Sequence, residues 1–142
     1  MSEENKAIVK RIVQEIWNGG NLDLADELIA PDYTDTVSGD GSPVGPNGFK
    51  KAVSGVRDAF PDFVITINDM ISEDDKVVLV WNFIGTHKGA LMGIAPTDKL
   101  IEFDGIYLYR FKDGKLVERS GKRDLFKLMS QLGQLGASPQ SE

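Results

Sequence analysis

The sequence predicts an α+β fold in which a curved, mainly antiparallel sheet wraps around helices that come before it in the chain. Three observations carry this expectation. Apolar residues recur at three- and four-residue spacing between Ala7 and Phe60, they alternate at period two from Asp62 onward, and short turns join the period-two runs. Helices followed by a meander bury their apolar stripes by packing on one face of the sheet. Four long twisted strands do not lie flat, so the sheet curls round the helices and leaves a hollow at one end.

Each element follows from its local pattern. In AIVKRIVQEIWNGG, Ile8, Val9, Ile12, Val13, Ile16 and Trp17 line one helix face, and Asn18-Gly19-Gly20 stops it because glycine tolerates a left-handed cap. A short second helix starts at Asn21 or Asp23 and turns Leu24, Leu28 and Ile29 inward, until Pro31 prevents its continuation. Gly45-Pro46 opens a third helix, with Phe49, Val53, Val56 and Phe60 on one side and Pro61 after it. The period then changes: Phe63, Ile65 and Ile67 mark a strand, and Glu73-Asp74-Asp75-Lys76 turns into a second strand from Val77 to His87. Residues 99–111 form a third, and Asp113-Gly114 supplies a hairpin turn into a fourth over 115–123. Leu125, Leu128, Met129 and Leu132 stand at helical spacing in a last helix that ends at Gly133.

Composition narrows the function classes. A chain of 142 residues makes one domain, read here as residues 1–135 with a flexible tail over 136–142. A net charge of -6 argues against nucleic acid or an anionic membrane as partner. With no cysteine and one histidine, the chain lacks the donors for a thiolate or first-row metal site, so no metal is expected. No targeting segment or membrane span is legible, which places the chain as soluble and cytoplasmic. The stretch SGDGSPVGPNG lacks the strand-to-helix setting of a dinucleotide site and reads as a loop. Apolar residues on both parities of VVLVW need cover on both sheet faces, which predicts a homodimer through the outer face.

Several stretches together resemble one family. They are WNGGNLD after the first helix, Pro31-Asp32-Tyr33, Gly45-Pro46, Gly85-Thr86-His87-x-Gly89 with Gly93-Ile94-x-Pro96-Thr97, Phe103-x-Gly105-Ile106, Asp113 to Glu118, and Asp124 before Gln131-Leu132-Gly133. With these the chain is similar to the SnoaL-like polyketide cyclases, or ester cyclases, of the nuclear transport factor 2-like superfamily, which also contains ketosteroid isomerase. The resemblance implies a cone-shaped α+β barrel and a cofactor-independent, intramolecular aldol or isomerisation reaction on a small hydrophobic carbonyl compound in an internal pocket. The chain departs from the family pattern at Thr36, where His is common, at Ser120, where Trp is common, and at Asp98, where Gly follows Pro-Thr.

Two candidates carry the expected chemistry, each with a plainer alternative. Asp124 matches the family's general acid/base carboxylate, and an apolar pocket raises a carboxylate's pKa toward working pH. It also directly precedes a helix, where aspartate serves as N-cap. His87 shares the parity of Trp81 and Phe83, so its imidazole can face a pocket and polarise a carbonyl; alternatively it ends the strand and shapes the loop from Lys88 to Asp98. Trp17, Tyr33, Phe60, Trp81, Tyr107 and Met92 are the candidate substrate-binding residues, although aromatic residues at regular spacing also build cores. Asp35 stands near the pocket mouth or in a solvated turn. A carrier of small hydrophobic molecules and an interaction scaffold remain the competing functions.

Overall fold

The computed structural model describes residues 2–134; the tail expected over 136–142 lies outside them. Helix α1 (Ser2–Arg11) runs without a break into wider π-type turns over Ile12–Asn18, and this stretch buries Val9, Ile12, Val13, Ile16 and Trp17. A single 3-10 turn, Leu22–Leu24, leads into the one-turn helix α2 (Ala25–Leu28). Strand β1 (Ile29–Asp35) follows, and then helix α3 (Gly45–Ala59), which has Pro46 in its first turn. Gly45 sits at φ +62, a left-handed conformation that suits glycine, and there a side chain would press on the Pro31 carbonyl.

Four long strands complete the sheet: β2 (Val64–Glu73), β3 (Lys76–Thr86), β4 (Leu100–Lys112) and β5 (Lys115–Arg123). Helix α4 (Leu125–Gln131) closes the chain's described part. The sheet order is β1-β5-β4-β3-β2, antiparallel throughout except for β1, which runs parallel to β5. This corrects the expectation of four strands and of Ile29 as a helical residue. Ile29 is extended and opens an edge strand, where Pro31 costs no ladder hydrogen bond that a central strand would need.

The helices bury their apolar stripes against one face of the sheet. Phe49 and Val53 of α3 are fully buried, with Phe49 edge-on to both Trp17 and Tyr33. Burying a side chain of that size stabilises by roughly 1.5–3 kcal/mol. On β3 the alternation is regular: Val77, Leu79, Trp81 and Phe83 point inward, and Val78, Val80, Asn82 and Ile84 lie on the outer face. Two strands break parity. Asn68 is an extra residue in β2 opposite β3, and Val117 is one in β5 opposite β4. Beyond such a bulge every side chain changes face. On β5 the inward positions are therefore Leu116 and Arg119, three apart rather than two or four.

Candidate active site

Between the helices and the concave face of the sheet lies a hollow of about 120 Å³. Its apolar wall includes Trp17, Phe60, Trp81, Phe103, Tyr107 and Leu128. The rings touch one another: Trp81 lies 4.9 Å from Tyr107 and 5.6 Å from Phe103 between ring centroids, and Phe60 meets Phe83 at 5.0 Å. Leu91 and Met92 reach the hollow from the loop between β3 and β4. That loop turns tightly at Met92-Gly93, both at positive φ, with Leu91 and Ile94 exchanging backbone hydrogen bonds across the turn.

The polar atoms of the hollow come from Ser38, Tyr107, Tyr109, Arg119 and Arg123. Arg119 is 2% exposed and is held from behind by the equally buried Asp35. Its Nη2 donates to Asp35 Oδ2 and to Ser38 Oγ, both at 2.8 Å, and its Nε donates to Asp35 Oδ2 at 3.2 Å. The guanidinium stacks over Trp17 at 5.3 Å and Tyr107 at 5.0 Å. Asp35 accepts three further bonds, from the Tyr33 hydroxyl and from the Val37 and Ser38 N–H groups. Burial alone would favour the neutral acid; the Arg119 charge and these hydrogen bonds outweigh it and hold the carboxyl below its ordinary value of 3.8. Asp35 is thus an ionised anchor and not the solvated turn acid that its sequence context allows. Burial also pushes the Tyr109 phenol up to about 12 against the pull of Arg119, and moves Tyr33 and Tyr107 upward too. All three stay protonated at neutral pH.

The expected site residues divide into two groups. Trp17, Phe60, Trp81, Tyr107 and Met92 line the hollow. Tyr33 is fully buried behind it, where it orients Asp35. His87 is fully buried but does not line the hollow: its Nδ1 accepts from the Thr97 N–H at 3.2 Å and meets the Thr97 hydroxyl at 3.0 Å. An accepted N–H marks Nδ1 as the unprotonated nitrogen, so the proton sits on Nε2, which has no partner. Around it, His87 exchanges backbone bonds with Asp98 and Lys99, while Lys88 and Gly89 donate to the Ala59 carbonyl at the end of α3. The imidazole thereby ties the two ends of the loop to each other, and the backbone bonds to Ala59 tie the loop to the body of the protein.

Asp124 is exposed and caps α4, accepting from the Lys127 N–H at 2.9 Å. It borders a depression on the outer sheet face together with Ile106, Leu108 and Lys122; Tyr107 and Arg123 border both this depression and the hollow. Arg119, Ser38 and Tyr109 do not stand out as site residues in the sequence. For Arg119 the hidden signal is the Val117 bulge, since strict alternation from Leu116 would turn Glu118 inward instead. Among the described residues no group of three or more side chains is placed to hold a metal ion, and no helix is long and apolar enough to cross a membrane.

Comparison with known proteins agrees with this architecture. A nogalonic acid methyl ester cyclase from Streptomyces nogalater is 31% identical over 119 residues, covering 82% of this chain and 89% of the relative. An aklanonic acid methyl ester cyclase, AcmA, from Streptomyces galilaeus is 30% identical over 133 residues and 92% of each chain. The structure of TsrD from Streptomyces laurentii superposes with a TM-score of 0.85 over 94% of this chain and 97% of its own, at 22% identity, a likeness of fold. Residues 7–132 match the SnoaL-like polyketide cyclase family, and the chain belongs to that family.

Proposed function

We propose that this chain performs cofactor-independent acid/base chemistry of the ester-cyclase kind on a small hydrophobic carbonyl compound held in the hollow. The single observation that carries the reading is the chemistry of the wall. Besides the Ser38 hydroxyl, the polar residues that line the apolar space carry donors: the guanidinium groups of Arg119 and Arg123, the protonated phenols of Tyr107 and Tyr109, and the Trp81 indole N–H, which has no partner. Such a wall suits an oxygen that gains negative charge as a proton leaves the neighbouring carbon. In the step itself, the carboxylate takes the proton and the C–H electron pair passes to the carbonyl oxygen. The enolate carbon then attacks a second carbonyl of the same molecule, and the new alkoxide takes the proton back. Atoms balance without a co-reactant.

Asp124, which follows Arg123 in the chain and borders the outer depression, is the proposed proton carrier. A hollow of about 120 Å³ holds one ring, so the remainder of a larger substrate would rest over the mouth at Met92. The test is turnover of a methyl ester substrate of the kind named for the relatives, nogalonic acid methyl ester, by wild type and Asp124→Asn. Asn caps a helix about as well as Asp, so the fold should hold while turnover falls by roughly a hundredfold. Turnover within a few-fold of wild type would remove Asp124 from the reaction.

A second reading, a non-catalytic binding protein, has its own observation. Among the described residues no carboxylate or imidazole borders the hollow, and Asp124 already serves α4 as its cap. Binding without turnover in both proteins would favour it. We also propose a homodimer through the outer sheet face and a cytoplasmic setting, the second resting on the cysteine-free, acidic composition.

A further inference from the structure

The hollow has a charge as well as a shape. Asp35 neutralises Arg119 from behind, at 2.8 Å. Arg123, half-buried at the end of β5, also borders the hollow but forms no ion pair among the described residues. The acids nearest to it in sequence and across the ladder, Asp124 and Asp104, border the outer depression that Arg123 also reaches, but each has another partner: Asp124 caps α4, and Asp104 pairs with Lys127 at 3.7 Å. One carboxylate thus stands against two guanidinium groups, leaving one uncompensated positive charge on an apolar space inside a chain of net charge -6.

Size and lining restrict the occupant further. An apolar cavity of about 150 Å³ accommodates benzene, so about 120 Å³ admits one flat ring and little more. The walls are aromatic, and the Trp81 ring and the Arg119 guanidinium both pack on Tyr107, at 4.9 Å and 5.0 Å, while the indole N–H of Trp81 is left without a partner.

We infer that the hollow selects a planar organic anion of about one ring, a conjugated carboxylate or enolate, and that Arg123 is the residue that reads its charge. Arg119 receives the same oxyanion as a hydrogen-bond donor, with its own charge already balanced. The inference rests on the hollow being the ligand site and adds the ligand's charge and size to it.

Benzoate and benzamide share a shape and differ in charge, which makes them the probes. Both tryptophans of the chain line the hollow, so intrinsic fluorescence reports its occupancy, with titration calorimetry as the second readout. Benzoate should bind at least tenfold more tightly than benzamide at low ionic strength, and the gap should narrow as salt is added. Arg123→Gln, a change at a half-buried residue without a carboxylate partner, should bring the two affinities within about twofold of each other. Arg123→Lys should keep the preference. Equal affinities in wild type would overturn the charge assignment and leave the hollow as a site for neutral ligands. An undiminished preference in Arg123→Gln would overturn the role of Arg123. Binding of neither probe would overturn this inference, while turnover of nogalonic acid methyl ester tests the reading of the hollow separately.

Discussion

Replacing Asp35 by Asn would leave the Arg119 charge buried with no counter-charge. Breaking a buried pair from one side costs about 3–5 kcal/mol, well above the worth of an exposed pair such as Arg11 with Glu15, which spans 3.2 Å at the surface. Melting should therefore fall by roughly 10 °C or more in Asp35→Asn, read by circular dichroism at neutral pH. The pH dependence has a definite sign. The folded carboxyl titrates below its unfolded value of 3.8, so its contribution is complete above that value and is lost as pH falls through the lower folded one. Wild type should lose stability in that acid window, and Asp35→Asn should show a flatter profile there; parallel profiles would mean that the pair contributes nothing. None of this was legible from the sequence, for a local reason. Asp35 stands among Thr34, Thr36 and a run of glycines that reads as solvated loop, and Arg119 stands 84 residues away on a strand whose inward parity changes at one extra residue. Neither is visible to a periodicity count.

The loop between β3 and β4 is stapled at its base by His87 and Thr97, by the Lys88–Asp98 ion pair at 3.1 Å, and by Gly89, whose missing side chain lets the backbone press against the Asp58 carbonyl. Only its tip, Leu91 and Met92, reaches the hollow. His87→Gln keeps a polar side chain but not an acceptor fixed in the ring plane. Amide exchange of Thr97 and Asp98 should accelerate by roughly tenfold or more while the sheet amides stay protected, the signature of local opening. Unchanged exchange at those two amides would show that the imidazole does not hold the loop. At this scale most of the fold was legible. Helices α1 and α3 and strands β2 to β5 follow from spacing, because a buried stripe imposes its period over ten or more residues. Strand β1 escaped because Ile29-Ala30-Pro31 is too short to show a period, and its parallel pairing with β5 joins positions far apart in the chain. Trp17, Phe60, Trp81 and Tyr107 stand on the hollow's wall, where large rings on inward helix faces and strand positions meet. The charged wall was not legible.

For the whole molecule, the helices leave the outer sheet face uncovered. Val78 opposite Leu108 and Val80 opposite Ile106 form an apolar ladder across the two central strands, and Ile106 is 53% exposed. Ile71 and Val64 at the β2 edge add to it, with 60% and 48% exposure. A monomer rarely leaves so continuous an apolar surface in water. A second copy of the chain is the occupant that the topology suits best, because a two-fold axis through a sheet face brings the same ladder from each chain into contact and closes without open ends. Depletion of charge at the centre with charge at the margin is the usual anatomy of such a contact, and here the ion pair of Arg110 with Glu118, at 2.9 Å, borders the ladder. Sedimentation equilibrium at micromolar concentration should therefore give twice the chain mass of 15.6 kDa. Ile106→Lys places a charge at the centre of the ladder on a side chain already half in water, so the folded chain should persist with unchanged circular dichroism while the mass falls to that of one chain. A monomeric wild type would show that the ladder tolerates water, and a dimeric Ile106→Lys would place the contact elsewhere on the molecule.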